Sequence, residues 1–123
     1  YQTPQGNALK IPKETKLIII SSEKDTGKMV NEYLSTQSSN YLQKRGAIFI
    51  ADINKMPSII TKAFALPKLR GFAHTIYLNY GEELAEKLPP QDDKIMLVFF
   101  KTSKIKEIRF ISTKEELQVA LSK

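Results

Sequence analysis

His74 is the only histidine in this chain of 123 residues, and the chain contains no cysteine. A histidine side chain titrates near neutral pH, which makes His74 a candidate general base. Catalysis would also require a nucleophile held beside it, and no serine or cysteine lies close to His74 in the sequence. The absence of cysteine excludes disulfides, zinc–thiolate sites and cysteine nucleophiles from this chain.

Two acidic pairs, Glu82–Glu83 and Asp92–Asp93, place carboxylates at adjacent positions. Adjacent residues on a strand or a helix point in different directions, so neither pair forms a carboxylate dyad by itself. No segment places oxygen ligands at alternate positions around a glycine, as a calcium-binding loop does. We therefore expect no metal site and no bound cofactor.

The chain carries a formal net charge of +6, from nineteen Lys and Arg against thirteen Asp and Glu. It has no long tract of like charges, and dispersed lysines more often favour solubility than specific nucleic-acid binding. The densest positive group comprises Lys101, Lys104, Lys106 and Arg109. Binding of nucleic acid or an anionic membrane through this group is an alternative function, and its affinity would fall steeply with salt.

The length favours one domain over residues 1–123, with residues 1–14 as a leading segment or short hairpin. Three apolar segments in the first half predict strands. Leu17–Ile20 and Ala47–Ala51 are continuous apolar runs, as expected for strands covered on both faces, and Ala8–Pro12 predicts a short leading strand. The apolar runs are all far shorter than the roughly 20 residues that span a bilayer, so we predict no transmembrane segment.

A helix is predicted between the two buried strands. Its apolar residues recur at helical spacing from Met29 to Leu42. Asp25 or Thr26 is expected to cap its first turn, because their side-chain oxygens can accept bonds from free backbone amides. Gly46 is expected to end it, since glycine tolerates the left-handed conformation at a helix exit.

The second half of the chain predicts three helices, one further strand and a hairpin. The first is a helix from Pro57 to Pro67, with Ile59, Ile60, Ala63 and Phe64 on its inner face. The strand His74–Tyr80 and the helix Glu82–Leu88 follow. The chain then predicts the hairpin strands Lys94–Phe100 and Ile105–Ile111, and a last helix that starts within Ser112–Glu115. Strict alternation in the last strand would place Ile105 on one face with Glu107, Arg109 and Ile111.

Strands that alternate with helices imply parallel pairs joined by right-handed crossovers. A turn as short as Lys101–Lys104 cannot cross over the sheet, so the final hairpin must be antiparallel. The predicted fold class is therefore α/β: a mixed β-sheet with helices on both faces, a closing β-hairpin and a C-terminal helix.

This order of elements resembles the redoxin branch of the thioredoxin superfamily, which contains peroxiredoxins and exported thiol reductases. The segments that carry the resemblance are the leading Gly6–Pro12, the first strand Leu17–Ile20, the strand end Ala51–Ile53, the inserted Thr75–Tyr80 with Glu82–Leu88, and the closing Lys94–Lys123. The chain is also similar to the YtfJ-like group of exported bacterial proteins. The resemblance implies a thioredoxin-like sheet.

In this family the reactive cysteine lies at the N-terminus of the helix after the first strand, where free amides and the helix dipole stabilise a thiolate. The matching stretch here is Lys24–Gly27, in which Asp25 would supply a carboxylate instead. Asp25 fits an ordinary helix cap, and it also fits an anion or partner site at that helix end. The family's proline before the closing hairpin has no match either, because Gln91–Lys94 stands there and Pro90 lies upstream.

The sequence thus predicts a redox-inactive thioredoxin-like domain that binds another protein. Open α/β sheets place ligands at the carboxyl ends of their parallel strands. The predicted partner-binding residues are accordingly Lys24, Asp25, Thr26, Lys55, Met56 and Pro57. The basic and apolar segment Lys68–Phe72 is a second candidate surface for a partner.

An enzyme that uses His74 or carboxylates is the alternative. It requires His74, Asp92 or Asp93 to converge with Asp25 in one pocket.

The chain begins at Tyr1 with a polar lead, so we expect that an export signal has been removed and that the protein acts in the periplasm or another exported compartment. A sequence trimmed at its start is the alternative, and a cytoplasmic location then stays open.

Overall fold

The computed structural model describes residues 1–54 and 66–122. The described strands are β1 (Leu17–Ser21), β2 (Ala47–Asp52), β3 (Tyr77–Asn79), β4 (Ile95–Lys101) and β5 (Lys104–Ile111). The described helices are α1 (Lys24–Ser35), α2 (Tyr41–Lys44), α3 (Leu66–Leu69), α4 (Glu83–Lys87) and α5 (Lys114–Leu121). None of these helices is long and apolar enough to cross a membrane.

The five strands form one mixed sheet in the order β3-β2-β1-β4-β5. The two predicted buried strands are parallel neighbours, with Ile19 of β1 opposite Phe49 of β2. β3 extends the parallel part, whereas β4 is antiparallel to both β1 and β5. The predicted mixed sheet with an antiparallel closing hairpin is confirmed.

Strands β1 and β2 are buried on both faces, and their side chains alternate between the two faces. One apolar layer joins the sheet to α1 and α5 through Ile19, Phe49 and Leu97 of the strands with Val30, Leu34, Leu117 and Leu121 of the helices. The opposite layer contains Ile18, Ile20, Ile50, Met96 and Val98, against which Leu9, Leu84 and Leu88 pack. This double burial explains why β1 and β2 are continuous apolar runs.

Helix α1 begins differently from the prediction. Its N-cap residue is Glu23, which makes no side-chain capping bond. Asp25 lies exposed in the first turn, and buried Thr26 donates from Oγ1 to the carbonyl oxygen of Glu23 at 3.1 Å. The predicted cap by Asp25 or Thr26 is therefore wrong, because only Ser22 and Glu23 separate β1 from the helix and the helix has already begun at Lys24.

The predicted helix exit at Gly46 is confirmed, but the predicted single helix is interrupted after Ser35. Helix α1 stops at Ser35, and α2 is a separate single turn. The hydroxyls of Ser35 and Thr36 donate back to carbonyls one turn earlier, at 2.8 and 2.7 Å, and such bonds compete with helix continuation. Gly46 has φ +64 after α2, as predicted for a helix exit.

The leading segment is a turn with isolated bridges, so the predicted strand Ala8–Pro12 is wrong. Gln2 bridges both Ala8 and Leu78 of β3. Gly6, with φ +92, lies between the paired positions. The segment thereby adds backbone bonds at the β3 edge, with Leu78 N donating to Gln2 O at 2.7 Å.

Strand β3 is shorter than the predicted His74–Tyr80, and α4 is shorter than the predicted Glu82–Leu88. Pro67 lies within α3 and does not end a helix as predicted. The predicted helix from Pro57, with Ile59, Ile60, Ala63 and Phe64 on its inner face, lies outside the described residues.

The closing hairpin has a tight turn in which Thr102 and Ser103 have φ 54 and 65. Two consecutive left-handed residues give the twist that matches flanking antiparallel strands. The pairing shifts between Phe99, which lies opposite Glu107, and Phe100, which lies opposite Ile105. Residue 106 is thus an extra residue in β5, and the predicted strict alternation is wrong for Ile105, which shares the face of Phe100.

Helix α5 begins where the sequence predicts. Its N-cap is Thr113, whose Oγ1 accepts from the backbone amide of Glu116 at 3.1 Å. The Glu116 carboxylate in turn accepts from the backbone amide of Ser112 at 3.2 Å. This reciprocal arrangement satisfies free amides at the helix start.

Candidate functional site

The carboxyl ends of β1 and β2 open onto a cavity of about 210 Å³. Parallel strands end at the same edge of a sheet, which brings Ser22 and Glu23 after β1 close to Asp52 at the end of β2. We call it the carboxyl-edge cavity, and the described residues that line it are Ser22, Glu23, Asp52, Ala85, Pro90, Gln91 and Asp92. The described lining thus joins three parts of the chain that are distant in sequence, around residues 22–23, at residue 52 and within residues 85–92.

One wall of the cavity is fixed by Glu23. Its Oε1 accepts a hydrogen bond from the backbone amide of Asp93 at 2.6 Å, across 70 positions of sequence. Asp93 has φ +59, a left-handed conformation that Asp tolerates better than most residues. The bond therefore ties the start of α1 to the loop that leads into β4.

The loop that leads into β4 has a second anchor, at Lys94. Lys94 Nζ donates to Ser112 Oγ at 2.5 Å, just before α5. The loop before β4 is consequently linked to the starts of both α1 and α5.

Asp52 is held by amide groups at the ends of β2 and β3. Its Oδ1 accepts from Asn79 Nδ2 at 3.0 Å and from the backbone amide of Asn54 at 3.2 Å. The side-chain amides of Asn54 and Asn79 both donate to the carbonyl oxygen of Gly81, at 3.1 and 2.8 Å. These bonds orient the Asp52 carboxylate through neutral donors, so they do not neutralise its charge.

The carboxyl-edge cavity is negatively charged. Glu23, Asp52 and Asp92 line it, and no Lys or Arg is among its described lining residues. The charge of Asp52 also acts on Tyr1. The pKa of the Tyr1 phenol is raised, mainly by burial and secondly by the negative charge of Asp52. An acidic cavity on a chain of net charge +6 favours a cationic group as its occupant.

These carboxylates do not form a metal site. Within residues 1–54 and 66–122, no three His, Asp or Glu side chains are grouped so that they could hold a metal ion. What the arrangement offers chemically is a set of hydrogen-bond acceptors, made by Glu23, Asp52 and Asp92 with Ser22 and Gln91 between them.

The start of α1 packs tightly on the end of β1. A Cβ atom added at Gly27 would lie 3.2 Å from the Oγ of buried Ser21. The resemblance placed a reactive cysteine at this helix start in thiol enzymes. In this chain the same position is occupied by exposed Lys24 and Asp25.

None of the predicted partner-binding residues that the structure describes lines the cavity. Lys24 and Asp25 are exposed at the helix start, while Thr26 is buried and bonded to Glu23. The other predicted residues, Lys55, Met56 and Pro57, lie outside the described residues.

Sequence reasoning pointed to the carboxyl edge of the sheet, where this cavity lies, but it did not name most of the residues that line the cavity. Asp52 carried a usable signal, because it directly follows the buried run of β2. Asp92 was named only as a possible catalytic carboxylate and Ala85 carried no signal, since their positions at this cavity depend on how β4 and α4 pack.

His74 lies away from this edge. It lines a second cavity of about 370 Å³, together with residues at the beginning of β2 such as Ala47, and we call this the amino-edge cavity. The side chain is buried, with Nε2 2.8 Å from Asn31 Oδ1 and the Phe72 ring 5.2 Å away between centroids. Burial lowers the pKa of His74, which favours the neutral imidazole at physiological pH.

The convergence required for the alternative enzyme is not present. His74 lines the amino-edge cavity, Asp92 lines the carboxyl-edge cavity, and Asp25 lines neither. Exposed Glu82 and Glu83 lie at the start of α4 and also line neither cavity. If His74 acted as a general base, it would therefore do so without the carboxylates that the sequence prediction placed beside it.

The described sheet order, the parallel β1–β2 pair and the antiparallel closing hairpin with its helix define a thioredoxin-like fold. The structure is similar to the solution structure of an uncharacterized thioredoxin-like protein from Porphyromonas gingivalis, with a TM-score of 0.59 and 14% identity. The match covers 98% of this chain and 85% of that chain. No family model and no curated protein matches the sequence. The predicted thioredoxin-like fold is confirmed, and the assignment to the redoxin branch stays a prediction.

Proposed function

We propose that this chain is a thioredoxin-like domain that binds another protein without thiol chemistry, through its carboxyl-edge cavity. The observation that carries the proposal is the lining of that cavity, where three carboxylates stand at the edge that open α/β sheets use for ligands. The proposal includes the export suggested by the resemblance, because the related thiol reductases act outside the cytoplasm.

Binding is the function that this edge supports best. Thiol–disulfide exchange begins with attack by a thiolate, and the chain contains no cysteine. Acid–base catalysis by His74 lacks the assigned carboxylates, which lie at the other cavity. The remaining chemical capacity of the carboxyl-edge cavity is to accept hydrogen bonds from a cationic or amide group.

The size of the cavity favours a side chain of a partner protein over a free small molecule. Its volume of about 210 Å³ is below the roughly 300–1,000 Å³ of typical ligand pockets. One Lys or Arg side chain would fit such a volume and would form charge-assisted bonds with Glu23, Asp52 or Asp92. We therefore expect the partner to insert a basic side chain here and to contact the surrounding loops.

The test is site-specific photo-crosslinking from the cavity rim. A photoreactive amino acid replaces Gln91, which lines the cavity, and a matched protein carries it at exposed Gln118 of α5. We expect a discrete crosslinked partner from Gln91 alone, at a lysine- or arginine-containing segment of that partner. The yield should fall about tenfold in the Asp52→Asn variant, since loss of one charge-assisted bond of about 1.4 kcal/mol lowers affinity tenfold.

The matched charge control is Glu83→Gln, which removes an exposed carboxylate that does not line the cavity. Its crosslinking yield should equal that of the unmodified chain. Equal yields from Gln91 and Gln118, or a yield that Asp52→Asn leaves unchanged, would contradict the proposed function.

A further inference from the structure

Strand β5 forms an edge of the described sheet. The outer side of β5 pairs with no described strand, whereas the opposite edge at β3 receives a bridge from Gln2. An edge strand presents backbone amides and carbonyls that can pair with another chain.

Apolar side chains lie exposed along this edge. Ile105 is 51% exposed and Ile108 is 42% exposed. The register shift places Ile105 opposite Phe100, and Ile108 lies opposite Val98 on the same face of β4. The half-buried Phe110 continues this apolar face, so a strand added beside β5 would find apolar contacts as well as backbone bonds.

The charges along the hairpin are positive and largely uncompensated. Lys101, Lys104 and Lys106 are exposed and form no ion pair with any residue that the structure describes. Arg109 differs, because its guanidinium pairs with Glu107 on the same strand. Three lysines without an ion pair to any described residue therefore lie near the exposed isoleucines.

We propose that β5 binds an extended acidic segment of another protein, which adds to the sheet as a sixth strand. Opposite charges on neighbouring strands stabilise their pairing, and like charges directly opposite each other are destabilising. A second copy of β5 would bring another strand with three basic residues and one acidic residue beside the first, so charge complementarity selects an acidic segment. The isoleucines would be covered by alternate apolar residues of that segment.

The exposed isoleucines also favour a protein strand over nucleic acid. Proteins that bind single-stranded nucleic acid combine positive charge with exposed aromatic rings on which bases stack. The exposed large apolar residues of β5 are aliphatic, and Phe110 is only half-exposed. This surface is separate from the carboxyl-edge cavity, whose lining includes no residue of β5.

The experiment measures binding of a fluorescent ten-residue peptide that alternates Val and Glu, by fluorescence anisotropy and by amide NMR. We expect saturable binding, with the largest shift changes at β5 amides. The same peptide with every backbone amide N-methylated should bind at least tenfold more weakly, because it cannot complete a strand ladder. A peptide that alternates Val and Lys should not bind.

The matched variants exchange exposed lysines for glutamate. Lys104→Glu with Lys106→Glu should lower the affinity for the Val–Glu peptide at least tenfold, and Lys13→Glu with Lys44→Glu, outside β5, should leave that affinity unchanged. All four positions are exposed, so folding should be retained, and the NMR spectra of the variants verify it.

Several outcomes would overturn the proposal. Absence of β5 shift changes at millimolar Val–Glu peptide would do so, as would full binding by the N-methylated peptide. Tighter binding at β5 of an oligothymidylate or of vesicles containing phosphatidylserine would assign this surface to anionic polymers or membranes instead. Concentration-dependent shifts at β5 in the unliganded chain would assign it to a second copy.

Discussion

At the scale of single residues, the start of α1 carries carboxylates and no thiol. Glu23, and not Asp25, is the residue that turns the chain from β1 into α1, and its carboxylate is used to hold the backbone of Asp93. The Glu23 carboxylate therefore has a structural role, because it accepts a hydrogen bond that holds the loop before β4. Only the antiparallel placement of β4 brings Asp93 within its reach, so the sequence near Glu23 contains no sign of this contact.

His74 allows a prediction of pH dependence. Burial lowers its pKa in the folded chain from the ordinary value of about 6.5. As the pH falls below that value, the unfolded chain binds a proton before the folded chain does, so the free energy of unfolding decreases. Above about pH 6.5 both states hold a neutral imidazole, and the effect is absent.

The measurement compares unfolding by urea at about pH 7 and pH 5 for the unmodified chain and His74→Gln. We expect the unmodified chain to lose more stability on acidification than the variant does, because the variant lacks this titrating group. An equal loss in both proteins would show that burial of His74 does not couple its protonation to folding.

At the scale of the elements, local chemistry predicts helix ends well where the cap is part of the same segment. Thr113 and Glu116 form the predicted start of α5 by bonds within four residues. The register shift in β5 was not predictable in this way. It depends on how Phe99 and Phe100 meet Glu107 and Ile105 across the hairpin, and a strand's own alternation does not contain that pairing.

Gly46 provides the prediction at this scale. Its φ is +64, and an added Cβ would also approach the Lys16 side chain at 3.4 Å. Gly46→Ala should lower the free energy of unfolding by about 1–2 kcal/mol, the cost of a left-handed conformation for an ordinary residue. Differential scanning calorimetry or urea unfolding measures the change.

The control for Gly46→Ala is Gly81→Ala. Gly81 lacks a positive φ of this kind, and an added Cβ would meet nothing within 4 Å. This variant should be neutral or slightly stabilising, because alanine reduces the freedom of the unfolded chain. Equal destabilisation by both substitutions would contradict the assigned role of the Gly46 conformation.

At the scale of the whole molecule, the sheet is held between two apolar layers, and the first layer contains Leu97 of β4. Leu97 is 0% exposed. Leu97→Ala should lower the free energy of unfolding by about 2–5 kcal/mol, since it removes buried methyl groups and leaves a cavity. That is a large share of the roughly 5–15 kcal/mol that stabilises a domain.

Val119→Ala is the matched control, because Val119 is an apolar residue of α5 that is 59% exposed. It should change stability by less than about 0.5 kcal/mol. Urea unfolding of both variants gives the comparison, and a similar midpoint for the two would contradict the position of Leu97 in the central layer.

The sequence by itself determined the elements whose signals are local and the chemistry that the chain lacks. Neighbouring residues alone determine the apolar segments of β1 and β2 and the turn of the closing hairpin. The same holds for the helix exit at Gly46 and the helix cap at Thr113. The absence of thiol chemistry follows from composition alone.

Tertiary structure decided which distant residues meet. It placed Glu23, Asp52 and Asp92 around one cavity, and it placed His74 at another. It also exposed Ile105 and Ile108 beside exposed lysines at an edge of the described sheet. The physical reason is that these arrangements arise from strand order, register and packing, which join segments tens of residues apart and leave no periodic pattern in the chain.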